Sequence, residues 1–99
     1  MKYTKQEVET YLREYSTLQS CVLYGSNEEL KAISMDLNKS INKLQHNSPN
    51  LYKTIVGVFV YGDPIQEQAK KMNVSKRQIS RRLDDGVHML TMIMNGEVL

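Results

Sequence analysis

Residues 64–83, PIQEQAKKMNVSKRQISRRL, constrain this chain more than any other stretch, because a short polar helix, a tight turn and a cation-rich second helix follow one another directly. Asp63 and Pro64 can open the first helix: an Asp side chain accepts from orphan backbone N–H groups, and proline is tolerated at the first helical position. Ile65, Ala69 and Met72 would form its inward face, with small Ala69 where two crossing helices must approach closely. Asn73 stands where the turn needs a left-handed backbone, which Asn adopts more readily than any residue except Gly. Ser75 then caps a second helix on which Ile79 and Leu83, four residues apart, share one face behind Val74. The pattern predicts a helix-turn-helix.

The remainder of the second helix is polar: Lys76, Arg77, Gln78, Ser80, Arg81 and Arg82. With Lys70 and Lys71 they put six cations into thirteen residues, and no Asp or Glu interrupts them. A Lys/Arg run is most often a solvated face. Here it coincides with a cap, a turn and a small-residue crossing point, and that coincidence favours a DNA-binding surface. A helix about 10–12 Å across fits the major groove of double-stranded DNA, where Arg and Lys pair with guanine edges and Gln with adenine. Lys76, Arg77, Ser80 and Arg81 would face base edges, with Gln78 at the margin. Lys70, Lys71 and Arg82 would hold phosphates, and Ser75 would help hold one at the helix N-terminus.

Ala69, three residues, Asn73-Val74-Ser75, then Ile79 and Leu83 together resemble the helix-turn-helix of region four of bacterial sigma factors, particularly the short extracytoplasmic type. The preceding NSPNLYKTIVGVFVYGDPIQEQA is similar to that module's leading helix, so the resemblance covers roughly 48–94. A compact chain with this module at its C-terminal end is similar to phage late transcription regulators of the RinA and ArpU type, which control packaging and lysis genes. Two positions depart from the pattern: Gln68 replaces the usual Ile or other apolar residue, weakening the local core, and Asn73 replaces the usual Gly. The resemblance implies an all-helical DNA-binding regulator, with RNA polymerase as a second partner.

Size narrows the choice further. A chain of 99 residues holds one domain, or one small domain with an extension, and too modest a core for an elaborate catalytic cleft. Hydrophobic residues make up 40% and charged residues 24%, which suits a folded helical protein; six Met and no Trp suggest adaptable apolar contacts. The formal charge of +2 is unevenly spread, since residues 1–50 hold six cations and six acids while the excess sits at the motif. A polyanion bound through one patch is the implied partner. Cys21 is alone, the start MKYTKQEVET lacks a signal-peptide core, and the longest apolar run, Ile55 to Tyr61, is too short to span a bilayer. The expected compartment is the cytoplasm of a bacterial host, with no membrane partner.

Along the chain, Thr4 to Glu7 form a capping box that opens a helix at about Lys5. Val8, Tyr11, Leu12, Tyr15 and Leu18 make one apolar stripe, continued by Cys21 and Val22. These tyrosines at helical spacing are packing residues rather than base-stacking ones, because no basic groove interleaves them. Gly25 breaks the helix, and Ser26 with Glu29 forms a second capping box. Leu30, Ile33, Leu37, Ile41 and Leu44 then form a seam to about Gln45. It pairs either with the first helix as an antiparallel hairpin, the preferred reading, or with a second copy in a homodimer suited to a two-fold DNA site.

Residues 46–50, HNSPN, are the connector between an N-terminal helical segment, 1–47, and a helix-turn-helix domain, 48–99. Leu51 to Tyr61 is dense in β-branched residues, and Gly57 costs a helix interior about 1 kcal/mol. No second strand-like run exists to pair with it, so a helix is expected, capped by Ser48, with Pro49 at its first position, Leu51, Ile55, Val58 and Phe59 inward, and Gly62 at its end. After Leu83, Asp84-Asp85-Gly86 could stop the last helix, but Val87, Leu90, Ile93 and Met94 continue its spacing, so one long or kinked helix to about Met94 is expected. His46 and His88 lack partners at metal-ligand spacing, and no motif supplies a nucleophile, a metal cage or a phosphate-cradling loop. The expectation is therefore an all-α, non-enzymatic DNA-binding protein without cofactor or metal. Small terminase-type packaging subunits, which also join a helix-turn-helix to oligomerising helices, are the alternative reading, as is a polymerase-binding module that reads DNA weakly.

Overall fold

The Thr4 capping box forms as its spacing predicts, Thr4 Oγ1 accepting from Glu7 N–H and Glu7 Oε1 accepting from Thr4 N–H, and it opens helix α1 over Lys5–Arg13. A computed structural model describes residues 2–24 and 28–97, the side chains of 21–24 excepted. Among these every regular element is helical. The others are α2 (Tyr15–Tyr24), α3 (Glu28–Asn47), α4 (Pro49–Ile55, continuing as a π-helical turn over Val56–Val60), α5 (Ile65–Met72) and α6 (Lys76–Met94). The expected Ser26–Glu29 capping box depends on Ser26, which lies outside the described residues, and the expected packing of Cys21 and Val22 rests on side chains outside those described.

The first apolar stripe is divided between two helices. The backbone departs from helical geometry at Glu14, φ −102° and ψ 25°, so α1 swings onto α6 while α2 lies along α3. A ladder of polar contacts fixes the second pair: Tyr15 Oη donates to Asn38 Oδ1 (2.7 Å), Asn38 Nδ2 to Gln19 Oε1 (3.3 Å) and Gln19 Nε2 to Ser34 Oγ (3.0 Å). As α2 advances its partners recede along α3, so the two run antiparallel. The seam of α3 is consumed within the chain: Ile33, Leu37 and Leu44 are buried, with Leu30 and Ile41 packed against them.

One apolar cluster unites the N-terminal helices with α4 and α6, joining Val8 and Leu12 to Leu37 and Leu44, Ile55, and Val87, Leu90 and Ile93. The expected connector shrinks to Ser48, because α3 runs to Asn47 and Pro49 begins α4. Ser48 occupies the cap position, but its side chain makes no capping bond; its carbonyl receives Tyr52 N–H instead (2.9 Å). The expected helix over Leu51 to Tyr61 forms as far as Val60, with Ile55 buried and Leu51, Val58 and Phe59 half-buried.

Helix α6 is unbroken through Gly86, and the reason is steric. A Cβ there would lie 2.7 and 2.9 Å from Ile55 Cγ1 and Cδ1, so glycine lets α6 approach α4 closely. At its far end Asn95 reaches back to the start of the chain: its Oδ1 accepts from Tyr3 N–H (2.6 Å) and its Nδ2 donates to Tyr3 O (2.9 Å). Tyr3 is buried, stands edge-on to Tyr11 with ring centroids 6.3 Å apart, and donates its hydroxyl to Asp36 Oδ2 (3.0 Å). Burial foremost, and then the Asp36 carboxylate, push its hydroxyl pKa up to about 12.

Candidate nucleic-acid interface

Helices α5 and α6 meet across Asn73, which adopts the left-handed conformation its position requires, φ 56° and ψ 46°. That geometry returns Val74 N–H to Ala69 O (3.0 Å) and Asn73 N–H to Lys70 O (3.2 Å), which satisfies carbonyls left open at the end of α5. Ala69 is 7% exposed at the crossing. Ser75 caps α6 as expected, and the cap is a full box: Ser75 Oγ accepts from Gln78 N–H (3.1 Å), and Gln78 Oε1 accepts from Ser75 N–H (3.4 Å). The S-x-x-Q spacing carries that second bond in plain sight. Gln78 therefore has its amide oxygen committed to the cap, leaving its nitrogen to offer outward.

Ile79 is fully buried and Leu83 half-buried, so α6 is anchored through one side. Lys76, Arg77, Gln78, Ser80 and Arg81 are exposed on the others. Lys76 with Ser80 and Arg77 with Arg81 are four residues apart and so are surface neighbours. Ser80 also lines a groove with Lys5, Arg13, Phe59 and Leu83, which puts it at the flank that faces α1. Arg82 is half-buried, with its Nη1 3.8 Å from Met72 Sδ. Lys70 is exposed. Among the described residues, none of Lys70, Lys76, Arg77, Arg81 and Arg82 forms an ion pair. Asp84 and Asp85 are exposed further along α6, and Asp84 pairs with Lys5 of α1.

Lys71 differs from its neighbours. Its Nζ lies 2.9 Å from Asp63 Oδ2, and the same oxygen accepts from Gln68 Nε2 at 3.1 Å. These two bonds, that from Lys71 first, hold the Asp63 carboxyl below its ordinary pKa, and Asp63 in turn raises the Lys71 ammonium. Asp63 thus does not cap α5: Pro64 takes the cap position without a side-chain bond, and the first helical residue is Ile65. The expected inward face is also corrected, since Ile65 is exposed while Gln68 is 6% exposed. An amide can be buried there because Asp63 satisfies it and Gly57 makes room: a Cβ on Gly57 would stand 1.9 Å from Gln68 Nε2. The π-helical turn lies directly beneath, with Tyr61 N–H donating to Val56 O (3.0 Å) and Asp63 N–H to Gly57 O (2.9 Å).

Among the described residues no group of three or more His, Cys, Asp or Glu could hold a metal ion, and no helix is long and apolar enough to cross a membrane. An all-helical domain that presents this cationic face on a capped, anchored helix has the form suited to a polyanion such as DNA. A family model described as ECF sigma factor matches residues 8–85, from the first turn of α1 to the middle of α6, and the chain belongs to that family. No curated protein and no solved structure matches it. The match takes in the N-terminal helices as well as residues 48–85 of the stretch that resembles region four.

Proposed function

We propose that this protein is a sequence-specific regulator of transcription that reads double-stranded DNA with α6, an activator encoded by a phage or related mobile element. The observation that carries the reading is the row of exposed cations on α6 that no carboxylate of the described residues pairs with, on a helix held by buried Ile79 and a Ser75 cap. Lys76, Arg77 and Arg81 reach base edges, with Ser80 and the Gln78 amide nitrogen at the margins; Lys70 and Arg82 hold phosphates. Lys71 joins them by exchanging Asp63 for a phosphate oxygen. RNA polymerase is the second partner, since the family acts in transcription.

Fluorescence anisotropy on duplexes from the protein's own genomic neighbourhood, against random duplex at two salt concentrations, tests this. A site preferred by at least about a thousandfold, with affinity falling steeply as salt rises, is expected. Arg81→Ala should cost about 1–3 kcal/mol on that site and little on random DNA. Equal losses on both would refute the base-reading role, and weak indiscriminate binding by the unaltered protein would refute the regulator.

A further inference from the structure

A second charged feature lies beside the helix-turn-helix. Lys53 of α4, Tyr61 at the end of the π-helical turn, and Asp63, Gln68 and Lys71 line one open cleft of about 300 Å³. Tyr61 is 77% exposed, an unusual degree for a large aromatic ring. Lys53 is exposed and, among the described residues, has no carboxylate within ion-pair distance. The one acid in the cleft, Asp63, is already engaged by Lys71 and Gln68. The cleft therefore carries two cations against one satisfied carboxylate, with a phenol at its mouth. It adjoins the basic surface through Lys71, one residue from Lys70.

We infer that this cleft is a second backbone-holding site for duplex DNA, in which Lys53 takes a phosphate and Tyr61 donates its hydroxyl to the same strand, while Asp63 moderates the pull of Lys71. The inference rests on the duplex-binding reading above. Its chemistry is that of a phosphodiester: a compact ammonium and a phenol are donors suited to phosphate oxygens, and no base-reading fork is present. The π-helical turn has a part here, because it is the segment that sets Tyr61 and Asp63 on the rim that Lys53 shares. With this site occupied, the strand is held on α4 as well as on α5 and α6, and the angle of α6 in the groove is fixed from two sides.

Lys53→Gln in the full chain, titrated by anisotropy against a mixed-sequence duplex and the preferred duplex over a range of salt, decides the matter. Each phosphate neutralised on B-DNA contributes about 0.9 to the slope of log affinity against log salt, so losing one contact reduces affinity by about eightfold at 0.1 M salt. Lys53→Gln should weaken both duplexes alike by about this factor, with the slope shallower by about one. Asp63→Asn, which keeps an acceptor for Gln68 but frees Lys71, should tighten both and steepen the slope. Lys31→Gln, which removes an equal charge from α3, should do neither. Unchanged affinity and slope for Lys53→Gln would overturn the site, as would a loss confined to the preferred duplex or an equal loss for Lys31→Gln. In each of those cases the behaviour of Arg81→Ala still reports on the α6 reading, so the two can fail separately; a protein that binds no duplex overturns both.

Discussion

Replacing Gly86 with alanine sets two well-understood effects against each other. Gly86 is buried in the interior of α6, where glycine costs about 1 kcal/mol relative to alanine, so helix propensity alone makes Gly86→Ala stabilising by that amount. The packing says otherwise. The new methyl would sit 2.7 Å from Ile55 Cγ1 and 2.9 Å from its Cδ1, and Ile55 is fully buried, with no route to solvent. Overpacking of this kind costs about 1–3 kcal/mol. The sum is a net loss of about 1 kcal/mol, or a melting temperature lower by about 4–8 °C for a domain of this size. Urea and thermal unfolding followed by far-UV circular dichroism would measure it. Ile55→Val removes the Cδ1 and costs about 0.5–1.5 kcal/mol alone; in the Gly86→Ala background it should cost less, because it removes one of the two close contacts, that with Cδ1. A rise in melting temperature for Gly86→Ala, or strict additivity of the two changes, would refute the close-approach argument.

Gly57→Ala should likewise destabilise, by about 1–3 kcal/mol in urea unfolding, because it drives the buried Gln68 amide off Asp63, and Gln68→Ala in the same chain should absorb most of that loss. Ser75→Ala removes the α6 cap and should cost about 1 kcal/mol, visible as a lower urea midpoint with an unchanged slope. The Asp63 carboxyl is held below its unfolded pKa, so its contribution is present above the ordinary carboxylate range and is lost as pH falls through the folded value; Asp63→Asn should flatten that acid limb of the stability profile. The Tyr3 hydroxyl is raised to about 12, so the folded chain keeps its proton between about 10 and 12 while the unfolded chain releases it. Stability should therefore fall with rising pH in that window, and Tyr3→Phe should remove this part of the decline.

What the amino-acid order made legible was local. The Thr4 and Ser75 caps, the left-handed Asn73 and the Pro49 start each depend on residues within one turn, and each stands where its spacing puts it. Less legible were features decided across helices. Nothing within a turn of Glu14 marks the bend there; neither Gly nor Pro is present, and the divergence serves the separate docking of α1 and α2. Gln68 and Gly57 each look like a defect alone, a polar residue in an apolar position and a glycine inside a helix. They make sense only as a pair, with Asp63 as the third member. Asp63 itself reads as a cap because caps are common before proline, whereas its carboxylate serves a lysine eight residues on. The cationic face of α6 was readable because exposure there follows from the same periodicity that buries Ile79.

The unbroken course of α6 has a mechanical consequence. Its 19 residues span about 28 Å at 1.5 Å per residue, as one stiff rod with its cationic tip at one end and the clasp between Asn95 and Tyr3 at the other. Close packing at Gly86 acts as the fulcrum between them. A tilt of about 10° about Gly86 would carry the cationic tip, about 15 Å away, through about 2.6 Å, enough to break a hydrogen bond made by a guanidinium there. The first residues of the chain thus help set the aim of side chains at the opposite pole of the molecule.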